Sequence, residues 1–177
     1  KENMAMVLRK EIPLHIHAHR SDDICTAIRI AKEYDIRIVI VHCTDGIDIA
    51  EHIAASGFPA IVGPSMNPCS KQEVWNKSFE TAGILNRAGV KVCITADHDV
   101  TPLYYLPIYA AMAVRFGMDD AEALRAVTSY PAEILGIDDR KGAIVSGKDA
   151  DLVIWSHHPF DIHAKAEHVF IEGKQEC

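Results

Sequence analysis

Ile12-Pro13-Leu14-His15-Ile16-His17, followed closely by Ser21-Asp22-Asp23, is the stretch on which the fold turns. The mostly apolar run reads as a strand of a sheet covered on both faces. Ser21 then opens a helix, with two acids in the first turn where they complement the helix dipole. Ile24, Ala27, Ile28 and Ala31 recur at helical spacing as its buried stripe. His17 therefore closes a strand that feeds a helix. The same unit recurs downstream, where Ile36 to Val41 is closed by His42 and Val90 to Ala96 by Asp97. Polar groups repeated at the strand ends of one parallel sheet are how a βα barrel collects a catalytic site on its C-terminal face. Two histidines and an aspartate in that position are good ligands for a divalent metal.

The intervening sequence keeps the rhythm. A helix is expected over residues 47–55, stopped by Gly57, and a third strand over 59–63. Residues 64–71, rich in Pro, Ser and Asn, form a loop suited to substrate contacts. A helix over 79–87 leads to Gly89 and the fourth strand, 90–96, and another helix follows over 106–116. Asp119 with Glu122 three residues later has capping-box spacing. Residues 130–136 form a short last helix, with Pro131 near its start and Gly136 past its end.

Residues 12–136 thus hold four strand–helix units, where a complete eightfold barrel takes ~250 residues. Half a barrel and a four-unit open sheet both satisfy that count. After Ile137 the pattern changes to short apolar runs at 142–145, 150–155 and 168–171, read as strands of a small β appendage over residues 137–177. Residues 1–11, with Met4 to Arg9 patterned as a helix end and Lys1 in first place, read as the tail of a preceding helix. On that reading the chain is a fragment.

Composition narrows the function. Apolar residues make up 49% and charged residues 24% of 177, ordinary values for a globular protein, and the net charge is −7. The acidic balance and the lack of a Lys/Arg stripe argue against nucleic acid and favour a small-molecule substrate. No apolar run approaches the ~18–20 residues of a membrane span. The five cysteines, Cys25, Cys43, Cys69, Cys93 and Cys177, are scattered and unpaired by spacing, which fits reduced thiols in the cytoplasm.

Two groups of motifs resemble the amidohydrolase superfamily, and within it the imidazolonepropionase-like enzymes. The first comprises His-Ile-His-Ala-His-Arg (15–20), Val-His-Cys-Thr (41–44) and Thr-Ala-Asp-His (95–98). The second is the tail Tyr-Pro-Ala-Glu-Ile-Leu-Gly-Ile (130–137) with Lys-Gly-Ala-Ile-Val-Ser-Gly-Lys-Asp-Ala-Asp-Leu-Val-Ile-Trp (141–155). The resemblance implies an α/β fold in which these units are strands five to eight of a metal-dependent TIM-type (β/α)8 barrel, followed by strands of a small β-sandwich.

It also implies a chemistry. The activity would be hydrolysis of a carbon–nitrogen bond in a cyclic amide, amidine or peptide-like small molecule by a metal-activated water. His17 would be a metal ligand. Asp97 would bind the metal and act as general base, and His42 would bind the metal or hold the substrate carbonyl. The implied cofactor is a divalent ion, zinc first and iron second. The family's first-strand His-x-His pair has no counterpart in this sequence, so this chain alone would carry an incomplete half of the site.

Other residues have competing readings. His19 and Arg20 stand on the loop after the first strand. Either is a candidate for a substrate carboxylate, with a surface ion pair to Asp22 or Asp23 as the plainer account of Arg20. His98 is a further candidate for the substrate pocket. His15 reads as structural, His157, His158 and His163 as solvated, Cys43 as core, and Tyr104, Tyr105 and Tyr109 as helix packing. Two rivals to the hydrolase stand: an inert half-barrel that self-associates through open sheet edges into a homo-oligomer, and a nucleotide-binding domain. The second needs a glycine-rich loop after the first strand, and residues 17–22 contain no glycine.

Overall fold

The computed structural model describes residues 2–176. Lys1 and Cys177 lie outside the described residues, so the readings of the first residue and of the fifth thiol have no structural counterpart. Helix α1 (Glu2–Leu8) precedes β1 (Leu14–Ala18) and α2 (Ser21–Glu33), and β2 (Ile38–His42) follows. A 3₁₀ turn over Thr44–Ile49 runs into α3 (Ala50–Ser56), then come β3 (Ala60–Val62), α4 (Glu80–Arg87) and β4 (Val92–Ile94). Helices α5 (Leu106–Arg115), α6 (Asp120–Ala126) and α7 (Ser129–Leu135) complete this unit.

The first four strands form one parallel sheet in the order β1-β2-β3-β4. One set of alternate strand residues, Ile38, Ile40, Ala60, Val62, Val92 and Ile94, packs beneath the helices. Ile24, Ala27, Ile28 and Ala31 meet it from α2, as their spacing predicts. Ile24, Ile53 and Leu85 are fully buried, each contributing roughly 1.5–3 kcal/mol through its apolar area. Ala110 and Ala123, also fully buried, let helix backbones approach closely.

Helix ends follow local chemistry. Gly57 takes φ 75 and stops α3, a conformation that costs any residue with a Cβ. The Asp119 carboxylate accepts the Glu122 backbone N–H at 3.1 Å, capping α6. The expected box is only half made. The Glu122 carboxylate instead accepts from Tyr130 at 2.8 Å and Asn86 at 2.9 Å, joining α4, α6 and α7.

The appendage is a three-stranded antiparallel sheet of β5 (Leu152–Trp155), β6 (Ala166–Ile171) and β7 (Lys174–Gln175), in the order β5-β6-β7. Residues 142–145 are not a strand, which corrects the sequence expectation. Ile144 is 87% exposed and Val145 is also exposed, so the run has no surface to pack against. The flanking charges Arg140 and Lys141 bind Asp149 and Asp151 and hold the segment as a loop. The third strand lies after Glu172-Gly173, both at positive φ, as a two-residue hairpin turn requires.

Candidate functional site

In the parallel register His17 lies beside Val41, and Ala18 beside His42. Strict alternation would send the His42 side chain into the core after Ile38 and Ile40, away from His17. The backbone prevents this. His42 has φ 74 and Cys43 φ 51, and a positive φ swings Cβ to the other side of the strand. The His42 ring consequently stands against His17, with Nε2 3.1 Å from His17 Nδ1. Non-glycine residues in this region cost roughly 1–3 kcal/mol each and concentrate at functional sites.

His19 completes the group. Its ring stacks on His42 at 4.7 Å and 10°, and meets His17 edge-on at 4.7 Å. One ring nitrogen from each of the three lies within 4.8 Å of the other two. His19 and His42 are 9% and 6% exposed, whereas His17 is open to solvent. Backbone groups hold the turn together, with Cys43 N–H donating to Ala18 O at 3.0 Å and Asp45 N–H to His19 O at 2.8 Å.

Each buried ring is oriented by its second nitrogen. His42 Nδ1–H donates to the carbonyl of Gly63 at 2.7 Å, which leaves a lone pair on Nε2. His19 Nδ1 lies 2.7 Å from the Thr44 hydroxyl. Burial lowers the pKa of His19 to about 4, aided by His42 and then His17. Partial desolvation against its neighbours also lowers that of His17, although its ring reaches solvent, with His42 next. Neutral imidazoles are the form a metal needs. A pair of nitrogens 3.1 Å apart would subtend about 100° at an ion 2.0–2.1 Å from each, within reach of tetrahedral zinc. The residues present fit a divalent ion.

The other expected site residues divide. Asp97 is half-buried, has φ 52, and lines the same cleft as the three histidines, but its carboxylate is not among the atoms gathered within 4.8 Å. Arg20 is exposed, makes a two-point ion pair with Asp22, and does not line the cleft. His98 is exposed and outside the cleft lining as well. His157, His158 and His163 are exposed, the latter two beside Asp120 and Asp161. Cys43 is fully buried and its thiol is pushed up to about 12 by burial, which removes it as a nucleophile. Tyr109 is buried and bonded to Thr101, whereas Tyr104 is 73% exposed.

The loop over 64–71 does line the cleft, through Pro64, Ser65, Asn67, Ser70 and Lys71. Lys77 ties it down, donating to Asn67 O at 2.8 Å, Asn67 Oδ1 at 2.6 Å and Pro68 O at 3.1 Å. Sequence reading gave neither Lys77 nor Thr44 a role; Thr44 lies within the Val-His-Cys-Thr motif (41–44), whereas no pattern marked Lys77. Gly63 carried a signal, since glycine within a strand pattern points to a close backbone approach.

A parallel βα sheet thus brings three imidazoles together at its carboxyl edge, beside a cleft lined by the loop over 64–71. The Amidohydrolase family model matches residues 9–175, and the chain belongs to that family. It is 31% identical over 166 residues to an imidazolonepropionase of Brucella suis biovar 1, covering 92% of this chain and 38% of that protein. An amidohydrolase from Thermotoga maritima MSB8 superposes with a TM-score of 0.95 at 44% identity, covering 99% of this chain and 46% of that one. An adenosine deaminase from Xanthomonas campestris, solved with bound zinc, gives a TM-score of 0.70 at 25% identity, covering 98% and 47%. The chain spans between 18% and 38% of the length of the curated relatives it matches. Among the described residues no helix is long and apolar enough to cross a membrane.

Proposed function

We propose that this chain carries the metal- and proton-handling half of a metal-dependent amidohydrolase site that cleaves a carbon–nitrogen bond in a cyclic amide, amidine or peptide-like small molecule. Residues 12–136 would be strands five to eight of a (β/α)8 barrel with their helices, residues 1–11 the tail of the preceding helix, and residues 137–177 part of the small β-sandwich. Supporting this are the open parallel sheet and its match to under half of the Thermotoga maritima amidohydrolase.

The observation that carries the reading is the 3.1 Å approach of His17 and His42 at adjacent strand ends, over a cleft that Asp97 also lines. His17, His42 and Asp97 would hold the ion, zinc before iron. When bound, such an ion acidifies water and polarises a carbonyl. Asp97 takes the proton of the attacking water and delivers it to the leaving nitrogen. His42, fixed through Gly63, presents Nε2 to the ion or to the substrate carbonyl. His19, Arg20 and His98 are the proposed substrate contacts. Of these, only His19 borders the cleft, so Arg20 and His98 would require a substrate that reaches its rim.

The test is metal content of the purified chain by elemental mass spectrometry, beside a His17→Ala/Asp97→Ala variant. Near-stoichiometric zinc or iron that vanishes in the variant is the expected result. A metal-free wild-type chain after exposure to both ions would overturn the reading that this half holds the ion by itself, and would leave the family membership standing. Open edges on β1 and β4 favour a second reading, a catalytically inert half-barrel that pairs with its own copy as a homo-oligomer. Light scattering that returns a monomer would exclude that pairing.

A further inference from the structure

We infer that His19 is an additional metal ligand, so that His17, His19 and His42 form a three-imidazole centre contributed wholly by β1, β2 and the turns that follow them. The inference rests on the metal reading above and goes beyond it, because there His19 was assigned to substrate.

The geometry separates the two roles. A residue that grips a substrate carboxylate presents an N–H to open cleft. His19 is 9% exposed, lies flat against His42, and spends Nδ1 on Thr44. His19 Nδ1 and the Thr44 hydroxyl lie 2.7 Å apart; in the tautomer in which Nδ1–H donates to that hydroxyl, Nε2 carries the lone pair, as it does on His42 through Gly63. Metal-bound histidines are oriented in this way, with the nitrogen remote from the ion held by a hydroxyl, carbonyl or carboxylate. Thr44 and Gly63 are therefore positioning residues for two of the three donors.

A core histidine that merely satisfies Thr44 would need no second imidazole within stacking distance and no third at 4.7 Å. The cluster instead assembles one nitrogen from each ring within 4.8 Å, at a cost in backbone strain at His42 and Cys43. Three neutral nitrogen donors select a borderline ion such as Zn²⁺, Co²⁺ or Ni²⁺ over Mg²⁺ or Ca²⁺.

The experiment is titration of the metal-free chain with Zn²⁺ against a competing chelator, paired with the visible absorption of the Co²⁺ form. His19→Ala is expected to weaken Zn²⁺ about 100-fold and to change the Co²⁺ bands. Thr44→Val, which keeps all three rings, is expected to weaken Zn²⁺ about tenfold. Arg29→Ala, an exposed residue of α2 outside the cleft, is expected to leave both readouts unchanged. If His19→Ala keeps wild-type affinity and spectrum while His17→Ala loses binding, His19 is no ligand and the amidohydrolase reading stands. If the wild-type chain takes up neither ion, this inference and the reading that the chain by itself holds the metal both fall. Should His19→Ala fail to fold by circular dichroism, His19→Gln and Thr44→Val decide, and wild-type binding by both would overturn the inference.

Discussion

The His42 ring donates from Nδ1 to the carbonyl oxygen of Gly63 at 2.7 Å, so the end of β3 fixes the imidazole carried by β2. Gly63 can serve because it lacks a side chain. A Cβ at this position, with φ at +120, would clash with the carbonyl oxygen of Thr95, just past the end of β4. Gly63→Ala must therefore shift β3 from β4 or turn the carbonyl away from His42. We expect a loss of about 2–4 kcal/mol from strain and overpacking, read as a lower urea midpoint. Zn²⁺ affinity should fall with it. An unchanged midpoint would mean that Thr95 yields freely and that the close approach is unimportant.

Burial of His19 makes stability depend on pH. Its pKa lies near 4 in the folded chain, lowered by burial and then by His42 and His17, against roughly 6.5 unfolded. Between those values the unfolded chain binds a proton that the folded chain does not, so stability rises with pH there. The contribution is fully present above pH ~6.5 and is lost as pH falls towards 4. His17 is shifted in the same direction and adds to the slope. Urea midpoints of the metal-free chain should drop across this window, and His19→Gln should flatten the drop. Equal slopes in the two proteins would rule out His19 as the source.

The sequence disclosed the fold wherever periodicity and caps agreed. The stripe Ile24, Ala27, Ile28, Ala31 was legible because a thirteen-residue helix repeats its signal several times. Residues 142–145 misled because a short apolar run carries no information about whether a partner strand exists. The site was half legible. His17 and His42 announced themselves at strand ends, but the convergence of their rings depends on the left-handed backbone of His42, a conformation that no composition rule assigns to histidine. His19 was visible as a residue but not as a member of the cluster, because its placement depends on stacking across strands and on Thr44.

Asp119 offers a test of α6 apart from the site. Its carboxylate caps the helix through Glu122 N–H, and Glu122 gives no reciprocal bond because Tyr130 and Asn86 hold one of its carboxylate oxygens and Arg125 the other. The cap thus stands on one side chain. Asp119→Ala should cost about 1 kcal/mol, with the denaturant slope unchanged, while Asp119→Asn should keep most of the stability. A loss equal in both variants would indicate that charge, and not the cap hydrogen bond, matters at this end.

Thiol chemistry should sort the cysteines by burial. Cys43 and Cys93 are buried, and burial pushes both thiols up to about 12. At pH 8 only about one part in ten thousand of such a thiol is the reactive thiolate. Cys69 is exposed, on the loop that lines the cleft. An aromatic disulfide reagent at pH 8 should label Cys69 within the first phase, Cys25 more slowly, and Cys43 and Cys93 only after denaturant is added, as mapped by peptide mass spectrometry. Zn²⁺ should leave the Cys43 lag intact, because that side chain packs into the core beneath the histidines and not into the cleft. Early labelling of Cys43 in the native chain would show that the turn after β2 opens on the timescale of the assay, and that the left-handed backbone there is not rigidly held.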